Sequence, residues 1–109
     1  MSYQIEALPN FERELKRLSK KYLSLKQDLA ALVSELTNNP TTGTALGQNC
    51  YKIRLAITSK QQGKSGGARV ITCVVAVAEK LTLLSIYDKS EQTDIPLRLL
   101  QKLIEEANL

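Results

Sequence analysis

Apolar positions recur at helical spacing through the N-terminal part of the chain. Phe11, Leu15, Leu18 and Tyr22 fall four, three and four residues apart, and Leu25, Leu29, Leu32, Val33 and Leu36 repeat the stripe. Asn10 stands where the first helix needs an N-cap and Ser24 where the second does. Asn38, Asn39 and Pro40 then stop the pattern, which predicts a helical hairpin. The Thr- and Gly-rich segment from Thr41 to Asn49 reads as a loop with, at most, a short extended piece around Leu46.

From Cys50 the period changes from 3.6 to 2. Ile53, Leu55 and Ile57 alternate with Lys52, Arg54 and Ala56, as a half-buried strand requires, so Lys52 and Arg54 share one face. Residues 68–78 (ARVITCVVAVA) and 81–87 (LTLLSIY) are continuous apolar runs rich in Val, Ile and Leu. They are expected to pair antiparallel across a two-residue Glu79–Lys80 connection. Strict alternation puts Ser85, Tyr87 and Lys89 on one side of the last strand. After the polar turn DKSEQTD, Asp94 is placed to cap a final helix with Pro96 in its first turn and Leu99, Leu100, Leu103 and Ile104 as its stripe. The expectation is α+β: an N-terminal helical hairpin, a twisted, mainly antiparallel sheet of about four strands, and a C-terminal helix. The chain of 109 residues is one domain, 1–109, long enough to bury a core without metal or disulfides.

Charge changes the picture. The chain has fifteen Lys and Arg against eleven Asp and Glu, but no acidic residue lies between Leu36 and Ala78, where Lys52, Arg54, Lys60, Lys64 and Arg69 all fall. The net charge of +4 is therefore a local excess, which suits a polyanion such as nucleic acid. Arg13, Lys16, Arg17, Lys20 and Lys21 lie off the apolar stripe of the first helix, an ordinary solvated face. Cys50 and Cys73 read as small buried hydrophobes. Without histidine, and with two cysteines, the chain offers no structural zinc site, and no metal or cofactor is expected. Polar Ser2, Tyr3, Gln4 and Glu6 follow Met1, and no apolar run approaches membrane-spanning length, so the expected location is cytoplasmic, away from membrane. Gly63-Lys64-Ser65 resembles the end of a Walker A loop, but Thr58 occupies the place of its first glycine and the loop leads into a strand. That leaves a basic, glycine-permitted approach to phosphate.

RNA cleavage by the 2′-hydroxyl needs a proton acceptor, a donor at the leaving oxygen and positive charge at the phosphate. Without histidine or metal these duties fall to Lys, Arg and Tyr. Lys52, with Arg54 beside it to lower its pKa, is the candidate base, and Arg69, or Arg54 with it, the phosphate clamp. Tyr87 is the candidate for stacking on a base or orienting the hydroxyl, and Lys89 for the leaving oxygen.

CYKIRLAI, then KSGGARVITCVV, then LTLLSIYDKSEQTDI together resemble the RelE/ParE superfamily of toxins from type II toxin–antitoxin modules, most closely its RelE-like and HigB-like branches. The resemblance is strong over about 50–95 and weak over most of the chain. It implies a compact α+β fold and a ribosome-dependent, metal-independent endoribonuclease that cuts translated messenger RNA and is held inactive by a cognate antitoxin. Its implied catalytic positions are Lys52, Arg54, Arg69, Tyr87 and Lys89, with Lys16, Lys20, Lys60 and Lys64 as RNA or ribosome contacts. The chain departs from RelE-like members in lacking a C-terminal aromatic residue, since it ends in EEANL, and from HigB-like members in lacking histidine. Two alternatives remain on the same fold: a ParE-like inhibitor of DNA gyrase, and a nucleic-acid- or ribosome-binding module with weak catalysis or none.

Overall fold

A computed structural model describes residues 2–60 and 66–108. The chain runs β1 (Gln4–Ala7), α1 (Pro9–Lys21), α2 (Leu25–Leu36), β2 (Thr44–Gly47), β3 (Cys50–Leu55), β4 (Ala68–Val75), β5 (Lys80–Asp88) and α3 (Leu97–Ala107). The sheet has five strands in the order β1-β5-β4-β3-β2, every pair antiparallel except β1 with β5. It is thus one strand larger than expected. β1 was invisible to the pattern because it is four residues long and half exposed, and its Gln4–Ala7 backbone is held by pairing with Lys80–Leu83.

The two sheet faces bury different elements. Phe11 and Leu18 of α1 and Leu25, Leu29, Leu32 and Leu36 of α2 pack with Ile53, Leu55, Val70, Leu83 and Ile86 on one face. On the other, Leu103, Ile104 and Ala107 of α3 pack with Cys50, Ile71, Cys73, Leu84 and Tyr87. Burying Leu103 and Ile104 contributes about 2 kcal/mol apiece toward holding α3 down. Cys50 and Cys73 are free thiols in that second core, as the sequence implied.

Three local expectations shift. Helix α1 begins at Pro9 with Leu8 at the cap position, so Asn10 is inside the helix and its amide goes elsewhere. Proline's fixed φ and missing N–H suit the first helical position and move the start one residue upstream. Ser24 does occupy the N-cap position of α2, but its hydroxyl donates to Asp28 and accepts from the Ser59 N–H rather than capping α2. The β4–β5 connection is not two residues. Ala76–Ala78 form a 3₁₀ turn and Glu79 takes a left-handed conformation (φ 49°), so the pairing closes at Val75 and Lys80.

The alternation in β5 also breaks. Ile71 pairs with Ser85 but Thr72 pairs with Leu83, so Leu84 is an extra, bulged residue. The bulge separates Leu83 from Ser85, whereas Ser85 and Tyr87 stay in one unbroken register opposite Ile71 and Arg69. The Ser85 hydroxyl donates to Glu14 of α1 at 2.7 Å, and Tyr87 packs with α3. Helix α1 satisfies the polar groups that the bulge disturbs. Asn10 Nδ2 donates to the Leu84 carbonyl at 3.1 Å, and the Ile86 N–H donates to Glu14 at 3.2 Å. Asn10 and Glu14 lie one helical turn apart and bond each other, so they form one unit at the bulge.

Candidate active site

Lys52 and Arg54 lie on β3 with the side chains that face α3, because the alternate residues Ile53 and Leu55 fill the opposite core. Register then assembles the rest. Arg54 is opposite Arg69 on β4, and Arg69 is opposite Tyr87 on β5, so these three residues form one rung across three adjacent strands. Helix α3 covers the neighbouring rungs of Cys50, Ile71 and Cys73 but leaves this end of the face to the 91–96 segment.

Gly67 sets the approach of β4 to β3 beside that rung. A Cβ there would land on the Leu55 carbonyl and against Ala56, so the second glycine of the SGG run is required by close backbone contact. Lys64, with the rest of 61–65, lies outside the described residues, so the expected phosphate approach by that loop has no structural account.

The members of the rung differ in exposure. Arg54 is exposed and, among the described residues, makes no hydrogen bond or ion pair. Arg69 is 7% exposed, and one of its hydrogen bonds goes to the Ala68 carbonyl at 3.1 Å. Tyr87 is 1% exposed, so its ring offers no stacking surface in this arrangement. Its hydroxyl donates to Asp94 Oδ1 at 3.2 Å. Burial, the Asp94 charge and that hydrogen bond push the phenol up to about 12, against a smaller opposing pull from Arg69.

Asp94 is the site residue the sequence reading missed. It was assigned to helix capping, but Pro96 holds an extended conformation (ψ 135°) and α3 starts only at Leu97. Its carboxylate instead accepts from the Ile95 N–H at 2.9 Å and lies 3.4 Å from Lys52 Nζ. The Ile95 N–H leads in holding Asp94 below the usual carboxylate range, and the Lys52 charge and the Tyr87 hydroxyl add to it against some desolvation. Lys52 is therefore engaged by an anion, where the sequence placed it beside a cation. A weak signal was present: DKSEQTD supplies carboxylates directly after the strand that ends in Tyr87.

The remaining candidates are dispersed. Lys89 continues the Tyr87 side of the strand, and its ammonium donates to the Thr93 carbonyl at 3.2 Å. Lys16 and Lys20 are exposed on α1, which covers the opposite sheet face. Lys60 is also on that opposite side, with its side chain 9% exposed and its ammonium 3.0 Å from Asp88, where it has little left to offer a ligand. Asp88 is fully buried and accepts from Tyr22, Lys60 and Ser90. Burial works to raise its pKa, but the hydrogen bonds from Tyr22, Ser90 and Lys60 outweigh it and hold the carboxyl well below its usual range. Asp88 thus ties the end of β5 to α1 and to the Thr58–Lys60 turn.

An open groove of about 620 Å³ runs along the outer edge of β3, where β2 has already ended. Lys52 and Arg54 line it on the strand side, and Asp28 and Glu35 on the α2 side. Among the described residues no cluster of three or more acidic or cysteine side chains is arranged to hold a metal, and no helix is long and apolar enough to cross a membrane.

No protein-family model matches the sequence. Solved structures do match the fold. The E. coli toxin RelE in the free state, carrying two arginine-to-alanine substitutions, is 17% identical, with 97% of this chain and 98% of that chain aligned at a TM-score of 0.63. The isolated E. coli RelE toxin is 18% identical, with 97% and 99% aligned at 0.58. The intact E. coli RelBE toxin–antitoxin complex is 19% identical, with 80% and 96% aligned at 0.51. The chain therefore has the RelE fold over nearly its whole length.

Proposed function

We propose that this chain is the toxin of a type II toxin–antitoxin module, a metal-independent endoribonuclease that cuts messenger RNA on the ribosome in the cytoplasm. The observation that carries the reading is the Arg54–Arg69–Tyr87 rung with Lys52 beside it, on a RelE fold. Three cationic side chains converge where three adjacent strands meet, and the chemistry of phosphodiester cleavage asks for that charge.

The residues divide the work by their surroundings. Arg69, buried and fixed, is preorganised to stabilise charge on a phosphate, whereas exposed Arg54 and half-buried Lys52 reach the backbone first. Tyr87, protonated across the neutral range, serves as a hydrogen-bond donor. Asp94 sits where an anion is welcome, against Lys52 and Tyr87. An incoming phosphate takes its place, moving the 92–95 segment and opening the rung. A cognate antitoxin offering an acidic or amphipathic segment would cover the same face or displace α3.

Purified chain added to translating ribosomes should produce breaks in the message at codon-periodic positions, read by primer extension. Intact message at saturating ribosome would sink the nuclease reading. The burial of Tyr87 and Arg69 specifically favours one alternative, a ribosome- or nucleic-acid-binding module without cleavage, and intact message together with retained ribosome binding would establish it. Arrested DNA supercoiling with intact message would instead assign the chain to the gyrase inhibitors.

A further inference from the structure

We infer that Cys50 and Cys73 form an oxidisable dithiol that closes to a single cross-strand disulfide when a small hydroperoxide reaches it. Position in the sheet carries the inference. The two residues are direct partners in the β3–β4 register. The Val74 N–H donates to the Asn49 carbonyl at 2.9 Å, which makes Asn49 and Val74 a hydrogen-bonded pair. Pairs alternate along an antiparallel ladder, so Cys50 and Cys73 occupy the narrow, non-hydrogen-bonded site, with Cα atoms about 4.5 Å apart. Disulfides span Cα separations of about 4.4 to 6.8 Å, so the bond asks for little backbone movement. Both thiols donate to the same Gln48 carbonyl, Cys50 at 3.5 Å and Cys73 at 4.0 Å, which keeps the two sulfurs side by side.

Both thiols are almost completely buried under α3, at 1% and 2% exposure, which shuts out bulky reagents. A cleft of about 300 Å³, bounded by Gln48, Asn49, Val75 and Asn108, reaches Cys73 and admits a small molecule. The two sulfurs are not equivalent. The neighbouring Cys50 thiol, with help from the Lys80 charge and against desolvation, holds the Cys73 thiol below its usual range. The contact with Cys73 and burial push Cys50 far above its usual range. The cleft also opens onto Cys73 and not onto Cys50, so Cys73 is the nucleophile and Cys50 the resolving thiol.

The Cys73 thiolate attacks one oxygen of hydrogen peroxide, the O–O bond breaks, and hydroxide leaves to be protonated to water. Cys73 is then a sulfenic acid. The Cys50 sulfur attacks the Cys73 sulfur, the S–S bond forms, the S–O bond breaks, and the hydroxyl departs as water with the proton from Cys50. Two thiols are oxidised and one peroxide is reduced to two waters.

The test is hydrogen peroxide titration of the folded chain, with thiols counted after denaturation and peptides mapped by mass spectrometry. Both thiols should disappear together, in a monomer bearing one Cys50–Cys73 cross-link that dithiothreitol reverses, with a raised unfolding midpoint. Cys50→Ser should stop at a Cys73 sulfenic acid trapped by dimedone, and Cys73→Ser should leave Cys50 unmodified. Two titratable thiols after treatment, cross-links between chains, or Cys50 oxidised first would overturn the inference. If the serine variants do not fold, the peptide map of the unsubstituted chain decides alone.

Discussion

At the residue scale, Arg69 separates charge-driven binding from chemistry. Its guanidinium is buried between Arg54 and Tyr87 and adds little to the long-range field, yet it is fixed where a phosphate would react. Arg69→Ala should lower the single-turnover cleavage rate on saturating ribosomes by roughly two orders of magnitude or more, the scale of one lost preorganised charge. Ribosome binding should fall far less. A wild-type rate at saturation would make Arg69 a structural or binding residue only. Asp94 allows a test that needs no substrate. Its charge and hydrogen bond help to raise Tyr87 to about 12, so Asp94→Asn should bring the Tyr87 titration down toward 10, read by ultraviolet or NMR titration. Burial is the larger cause, so a full return to 10 is not expected. The raised phenol also has a stability consequence. Protons are held more tightly in the folded state, so this contribution is complete below pH 10 and is lost as pH rises through about 12. If Asp94 holds the place of a phosphate, the same variant should bind RNA more tightly at low salt. Unchanged affinity would show that the 92–95 segment does not compete with the ligand.

The elements are held in register by two carboxylates with opposite pH behaviour. Asp88 is depressed by its hydrogen bonds, so the stability it supplies is present above its ordinary 3.8 and lost as pH falls toward the folded value. Glu14, at the β5 bulge, is raised above its ordinary 4.5 because burial outweighs the bonds from Ser85, Ile86 and Asn10. Its contribution is complete below 4.5 and is lost as pH rises through the folded value. Asp88→Asn should cost about 3 kcal/mol at neutral pH, because it leaves the Lys60 ammonium buried without its counter-charge. The loss of stability below pH 4 should also become shallower in acid-unfolding curves. The double variant Asp88→Asn with Lys60→Met should recover part of that loss, and failure to do so would place the role of Asp88 in its hydroxyl partners instead. Glu14→Leu should destabilise by about 1 to 3 kcal/mol through the stranded Ser85 hydroxyl and Ile86 N–H. These carboxylates also mark what sequence could not reveal. The periods of Leu25–Leu36 and of Ile53, Leu55 and Ile57 made α2 and β3 legible, since burial on one face imposes them. A bulge inserts one residue without any compositional mark, so the break in alternation between Leu83 and Ser85 was not legible. The rung of Arg54, Arg69 and Tyr87 depended on strand register, which a local pattern does not encode. The basic stretch named Lys52, Arg54 and Arg69, while Asp94 joined through a loop whose path Pro96 decides.

Across the whole molecule, positive charge is divided between two faces. The sheet face carries Lys52, Arg54 and Arg69 beside Asp94, and the far side carries exposed Lys16 and Lys20 on α1 with no part in the rung. Arg17 and Lys21 of the same helix are already paired with Glu91, and among the described residues Arg13, Lys16 and Lys20 of that helix make no ion pair. A ribosome is large enough to meet both sides of a chain whose extents are 38 × 32 × 22 Å, whereas a single phosphate at the rung is not. Charges exposed on the far side act through a screened field that fades within about 10 Å at 0.1 M salt. Lys16→Ala with Lys20→Ala should therefore weaken ribosome association, increasingly so as salt is lowered, while the single-turnover rate at saturation stays near that of the unsubstituted chain. Lys52→Ala with Arg54→Ala should lower both quantities, because in the proposed function those side chains reach the phosphate at the reacting centre. Equal losses of rate from the two pairs would mean that α1 contacts the cleaved strand itself, and the rung could no longer be regarded as a separate reaction centre.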